Sequence, residues 1–230
     1  MATRHVFPQE IINLICEKCE PSTLATLARV SRVFTELALN LLWHTIPDLG
    51  PLIRCMPQDL WEMDDEIEFE RPRLMFCRSI LPADWDIFKV HAARVRKFGF
   101  PYTLVDLEPS AYGVLACASV GRLPLLPRLT HIRWLDLTDN VFPYINLFLS
   151  PIIICLEFDI ISFNDEPDSV GLRFSLLASL VSACPNMAHL TLDGHDMSEE
   201  QVPWQEIKSG LSFIEQWSSL HYLEMVGLRN

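Results

Sequence analysis

Apolar and polar positions alternate with helical spacing over the first forty residues. Pro8 opens a run in which Ile11, Ile12 and Ile15 fall on one helical face, and a proline in the first turn costs no hydrogen bond. Pro21 repeats the device, with Leu24, Leu27 and Ala28 on one side. Ser31 stands where a third helix needs an N-cap, and Phe34, Leu37 and Leu41 follow at helical intervals. Trp43 closes that helix, and Pro47 stops it from continuing. Three short helices are therefore expected. They hold too few apolar residues to close a core alone, so the module is expected to complete its core on another protein.

After residue 90 the pattern changes to apolar, two residues, apolar, one residue, apolar. It appears as Val95-x-x-Phe98-x-Phe100, Ile132-x-x-Leu135-x-Leu137, Ile153-x-x-Leu156-x-Phe158, Met187-x-x-Leu190-x-Leu192 and Leu220-x-x-Leu223-x-Met225. The copies are 37, 21, 34 and 33 residues apart, which leaves room for a helix between most strands. The stretch Leu172–Val181 has such helical spacing, and Ser198-Glu199-Glu200-Gln201 fits a capping box. Leu211, Ile214 and Trp217 share a face. Units that bury one side against their neighbours stack into a quasi-linear solenoid. An uncapped last edge beyond Met225 would then invite a partner.

Charge separates these two regions. Residues 1–46 are neutral overall, residues 47–73 carry eight acids against three bases, and the whole chain has net charge −12. The acidic stretch is punctuated by Pro47, Pro51, Pro57 and Pro72 and is expected as a connector with a helical turn or two. Ile67 and Phe69 alternate with its acids, so a short strand is also open there. Acidity on this scale argues against nucleic acid and against anionic membrane surfaces as partners. The uncharged run Val141–Leu156 is too short to span a bilayer and is broken by two prolines, so a buried loop and strand are expected. The seven cysteines are scattered and the first residues hold no secretory h-region. Reduced thiols and a cytoplasmic or nuclear location are expected.

No catalytic constellation is visible. Phosphate-cradling glycine motifs and a Gly-x-Ser-x-Gly elbow are absent from the sequence. Cys16-x-x-Cys19 has no second pair to complete four metal ligands, so structural cysteines are expected there. His189 and His221 are expected at equivalent repeat positions, close across neighbouring strands. No cofactor and no metal are expected.

The opening segment resembles an F-box: the Phe7-Pro8 start, the acid at Glu10, the apolar positions along helix one, Val30-Ser31-Arg32-x-Phe34, and Leu42-Trp43. It departs in Phe7, where leucine is usual, and in Glu20-Pro21, where Asp-Pro is commoner. The later copies resemble leucine-rich repeats, Asn140 standing where the family's turn asparagine does. Pro82-x-Asp84-Trp85-Asp86 with Arg94-Val95-Arg96, and the lead-in Cys184-Pro185-Asn186-Met187, resemble F-box proteins expanded in fungi.

This resemblance implies an F-box over 1–46, an acidic connector over 47–73 and a short α/β leucine-rich-repeat array over 74–230. It implies a non-catalytic subunit of an SCF (Skp–cullin–F-box) ubiquitin ligase. Phe7, Pro8, Ile11, Ile12, Ile15, Leu24, Leu27, Val30 and Phe34 would be core or Skp-facing; the competing expectation is that they pack only within this chain. A leucine-rich-repeat scaffold acting outside ubiquitination is the alternative. In that family the residues between the consensus apolar ones face the concave side. They are Lys97 and Gly99; Trp134, Asp136 and Thr138; Cys155, Glu157 and Asp159; His189, Thr191 and Asp193; Tyr222, Glu224 and Val226. Five acids against one base imply a protein client with a basic, partly apolar patch, anchored on Trp134 and Tyr222. The alternative is that an acidic face only keeps the array soluble.

Overall fold

A computed structural model describes residues 8–64, 72–100, 106–134, 141–159, 179–193 and 212–226. The expected Phe7, Ile67, Phe69, Asp136, Thr138 and Asn140, the capping box at Ser198 and most of the Leu172–Val181 helix lie outside them. The protein is a mixed α/β structure, and its chain divides into two compact units, Met1–Thr45 and Ile46–Asn230. Among the described residues no helix is long and apolar enough to cross a membrane.

The first unit holds α1 (Gln9–Glu17), α2 (Pro21–Val30) and α3 (Arg32–Leu42). Pro8 is the N-cap of α1 and Pro21 occupies the first turn of α2, as the missing N–H groups allow. Ser31 precedes α3 in extended conformation, but its side chain makes no capping bond. The neighbouring Thr35 Oγ1 instead donates to the Ala28 and Ser31 carbonyls and ties α2 to α3. Ile12, Cys16, Leu24 and Ala38 form the core, with Leu27, Phe34, Leu37 and Leu41 packed against it. Cys16 and Cys19 are free thiols, and the Cys19 thiol donates to the Ile15 carbonyl.

The second unit, from Ile46 on, holds most of a six-stranded sheet of order β1 (Thr45–Ile46), β4 (Lys97–Phe98), β6 (His131–Trp134), β7 (Cys155–Asp159), β8 (His189–Asp193), β9 (Tyr222–Val226). From β4 to β9 every neighbouring pair is parallel. A smaller sheet joins β2 (Trp61–Asp64), β3 (Arg73–Phe76) and β5 (Asp106–Leu107). The described helices of this unit include α4 (Gly50–Ile53), α5 (Trp85–Ala92) and α6 (Pro109–Ala118), and residues 179–183 and 212–214 are also helical.

One hydrogen-bond device sets the large sheet's register. Two successive N–H groups at the start of a strand share a carbonyl of the preceding copy. Thr130 and His131 donate to Arg96, Ile154 and Cys155 to Thr130, Ala188 and His189 to Ile154, and His221 and Tyr222 to Ala188. Each acceptor directly follows a large apolar residue: Val95, Leu129, Ile153 or Met187, all fully buried. The copies therefore begin at Val95, Leu129, Ile153, Met187 and Leu220, at intervals of 34, 24, 34 and 33 residues. The expected second copy, Ile132-x-x-Leu135-x-Leu137, is displaced by three residues; the sheet uses Leu129-x-x-Ile132-x-Trp134. Side chains alternate sides along a strand, so Ile132, Leu156 and Leu190 form one buried row and Trp134, Phe158 and Leu192 the next. Phe98 and Phe148 stack at 4.9 Å against the Trp134 end of this core.

Part of the stretch expected as a connector is buried. Leu49, Leu52, Ile53, Met56 and Leu60 are buried, because α4 and the turn after it set their apolar side chains inward between the prolines. The uncharged run is a buried 3-10 segment, Phe142–Leu147, followed by β7. Asn186, in the Cys-Pro-Asn lead-in, donates from Nδ2 to the Pro151 carbonyl of the previous copy at 2.8 Å.

Candidate functional site

In the first unit the apolar residues divide between two directions. Ile12 and Leu24 are core, one of the two placements expected for them; Leu27 and Phe34 are half-buried beside them. Ile11, Ile15 and Val30 are exposed, Val30 by 70 %. Pro8 is exposed as well. Two residues outside the expected set join them: Leu14, exposed by 59 %, and Val33. Ile11, Leu14 and Ile15 stand at i, i+3 and i+4 of α1, one face of that helix. Ile11, Leu14, Ile15, Val30 and Val33 are thus large apolar side chains left at the surface of this unit.

The second candidate surface is the sheet face opposite the buried rows. The displaced second copy changes its composition. Trp134 is 1 % exposed and packs at 5.8 Å from Phe98, so it is a core residue and not a client anchor. In its place β6 presents His131 and Arg133, which the same apolar pattern read from Leu129 would have shown. The face thus runs from Lys97, His131 and Arg133 on β4 and β6, through Cys155 and Glu157, to Thr191, Asp193, Tyr222 and Glu224 on β8 and β9. It is not uniformly acidic: cations stand at one end and carboxylates at the other. Asp159 pairs with Asp193 in the β7–β8 ladder.

Arg133 Nε lies 3.1 Å from Glu157 Oε1 where the two halves of the face meet. Burial pushes the Glu157 carboxyl up from its ordinary value; Arg133 opposes the shift and Asp193 and Glu224 add to it. Burial also raises the Cys155 thiol, which lowers its thiolate content and its reactivity. On the last strand the Tyr222 hydroxyl donates to Glu224 Oε2 at 2.9 Å, a bond that raises the phenol's pKa. Tyr222, an expected anchor, is 46 % exposed, and Glu224 beside it is exposed too. His189 and His221 meet edge to face at 4.7 Å. They are not at equivalent positions, because His189 aligns with Tyr222 in the ladder.

Among the described residues no group of three or more His, Cys, Asp or Glu is placed to hold a metal ion. The chain matches no protein-family model, and no curated protein matches it.

Proposed function

We propose that this protein is a substrate-recognition adaptor of an SCF ubiquitin ligase, an F-box followed by an irregular leucine-rich-repeat array. The observation that carries this reading is the exposed set Ile11, Leu14, Ile15, Val30 and Val33 on a three-helix unit whose small core is formed by other side chains. A surface of that kind suits the apolar docking face of a Skp adaptor, and through it the cullin–RING core. The five parallel copies, of which the last four each start from a carbonyl of the one before, support the repeat array.

The client is a protein that meets the open sheet face. Asp193, Tyr222 and Glu224 at the β8–β9 end suit a basic patch with an apolar contact for the Tyr222 ring. Arg133 and Lys97 set the client's orientation, since they repel the same patch at the other end. The chain itself supplies no chemistry: it holds the client near an enzyme carried by other subunits, raising the effective concentration of the reacting pair. Such assembly takes place in the cytoplasm or nucleus.

The test is native co-purification of the full chain and of the Ile11→Asp/Val30→Asp variant. Wild type should carry Skp and cullin, and the variant should carry neither while keeping its thermal transition. A wild type free of both subunits, or a variant that retains them, overturns the reading.

A further inference from the structure

A half-open cleft of about 280 Å³ lies between α5 and the segment that leads from α6 to β6. Its floor is Trp85 and Phe88, packed edge to face at 5.1 Å, and its far wall is Pro124 and Leu125. Lys89 and Arg122 also line it. The Arg122 guanidinium lies 5.8 Å over the Trp85 ring, and its Nη1 donates to the Ala118 carbonyl at 3.1 Å. The ring and the carbonyl hold it in place before any ligand arrives. Among the described residues Arg122 has no carboxylate partner. Among the described residues Lys89 has Asp86 at 3.9 Å, a carboxylate that is itself exposed.

In a chain of net charge −12, two cations flanking an apolar cleft stand out from the general charge. Apolar surface also continues past both: Val90 follows Lys89, while Val120 and Leu123 flank Arg122 at 77 % and 54 % exposed. The cleft's volume fits one large side chain, below the usual size for a complete small-molecule ligand.

We propose that this cleft docks a peptide segment of another protein in which one large apolar side chain is flanked by carboxylates. The apolar side chain enters between Phe88 and Pro124, and the carboxylates meet Lys89 and Arg122. The guanidinium pays little ordering entropy because Trp85 and Ala118 already fix it. This site shares no residue with the proposed adaptor-binding surface and differs in chemistry from the sheet face, which favours basic groups at its β8–β9 end.

The test uses the full chain and fluorescein-labelled hexapeptides read by anisotropy: Gly-Glu-Asp-Phe-Glu-Gly, versions with Leu or Trp replacing Phe, and the charge-reversed Gly-Lys-Lys-Phe-Lys-Gly. Saturable binding of at least one acidic peptide, and none of the lysine peptide, is expected. Lys89→Ala and Arg122→Ala should each weaken it about five- to tenfold, and Lys89→Glu/Arg122→Glu should transfer preference to the lysine peptide. Salt should weaken the wild-type complex, a check that needs no variant. Equal binding by wild type and the alanine variants, or no binding of any acidic peptide, overturns the site. Displacement by 3-phenylpropionate as effective as by unlabelled peptide overturns the peptide assignment.

Discussion

Trp134 lies beside Phe158 in the parallel β6–β7 ladder, with its indole sealed among Phe98, Tyr112 and Phe148. This pairing settles which of two overlapping copies the chain uses. Removing so large a buried side chain leaves a cavity, so Trp134→Ala should cost about 3–5 kcal/mol. Urea unfolding measures this directly. A loss under about 1 kcal/mol would return Trp134 to the surface.

The same register makes a glycine indispensable. Gly99 has φ +86°, and a side chain there would strike the Arg133 carbonyl oxygen. Gly121 also has positive φ, +76°, but open space around it. Gly121→Ala should cost about 1–2 kcal/mol from backbone strain alone. Gly99→Ala should cost more than that, because β4 must also move away from β6. Thermal unfolding of the two variants side by side checks the order.

How much of this was legible in the sequence varies by element. Helix starts at Pro8 and Pro21 were legible because a fixed φ and a missing N–H suit only that position. Which face of α1 is buried was not: Ile11, Ile12, Leu14 and Ile15 cover nearly half its circumference, and only packing with Leu24 and Ala38 selects Ile12. The repeat pattern was legible, but Leu129, Ile132, Leu135 and Leu137 satisfy it in two registers. The shared carbonyls of Arg96 and Thr130 decide between them. Leu49 to Leu60 were hidden by composition, because prolines and acids around them read as linker while the buried face belongs to a longer-range core. The cleft cations were invisible, since Lys89 and Arg122 meet only through tertiary structure.

Arg78 clasps two aspartates, with Nη1 2.7 Å from Asp84 and Nε 2.8 Å from Asp59. The buried Asp84 carboxylate also accepts the Leu81 N–H. Hydrogen bonds from Arg78 hold both carboxyls below their ordinary range. A lowered folded-state pKa contributes stability that is fully present above the unfolded value and is lost as pH falls through the folded one. Arg78→Met should therefore be less stable than wild type by a constant margin above about pH 5. The margin should shrink as pH falls below about 4. A margin independent of pH throughout would remove the clasp from the account.

Glu157 has the opposite sign. Burial raises its carboxyl while Arg133 restrains the rise. Arg133→Met should move the Glu157 titration to higher pH, and Asp193→Asn should move it lower. Carbon-13 NMR of the side-chain carboxyl reads both shifts. A raised folded-state pKa means that stability associated with the proton on Glu157 is present at acid pH and lost as pH rises through that pKa. Glu157→Gln in the Arg133→Met background should therefore flatten that part of the profile.

The central claim is that the outward apolar side chains of the first unit are a docking face. Isothermal titration of the purified full chain with a purified Skp adaptor tests it most directly. One-to-one binding with a negative heat-capacity change from apolar burial is expected. So is a loss of at least about a hundredfold in Ile11→Asp/Val30→Asp, whose two introduced charges face an apolar partner. No heat of binding with wild type, or equal affinity for the two proteins, contradicts the claim.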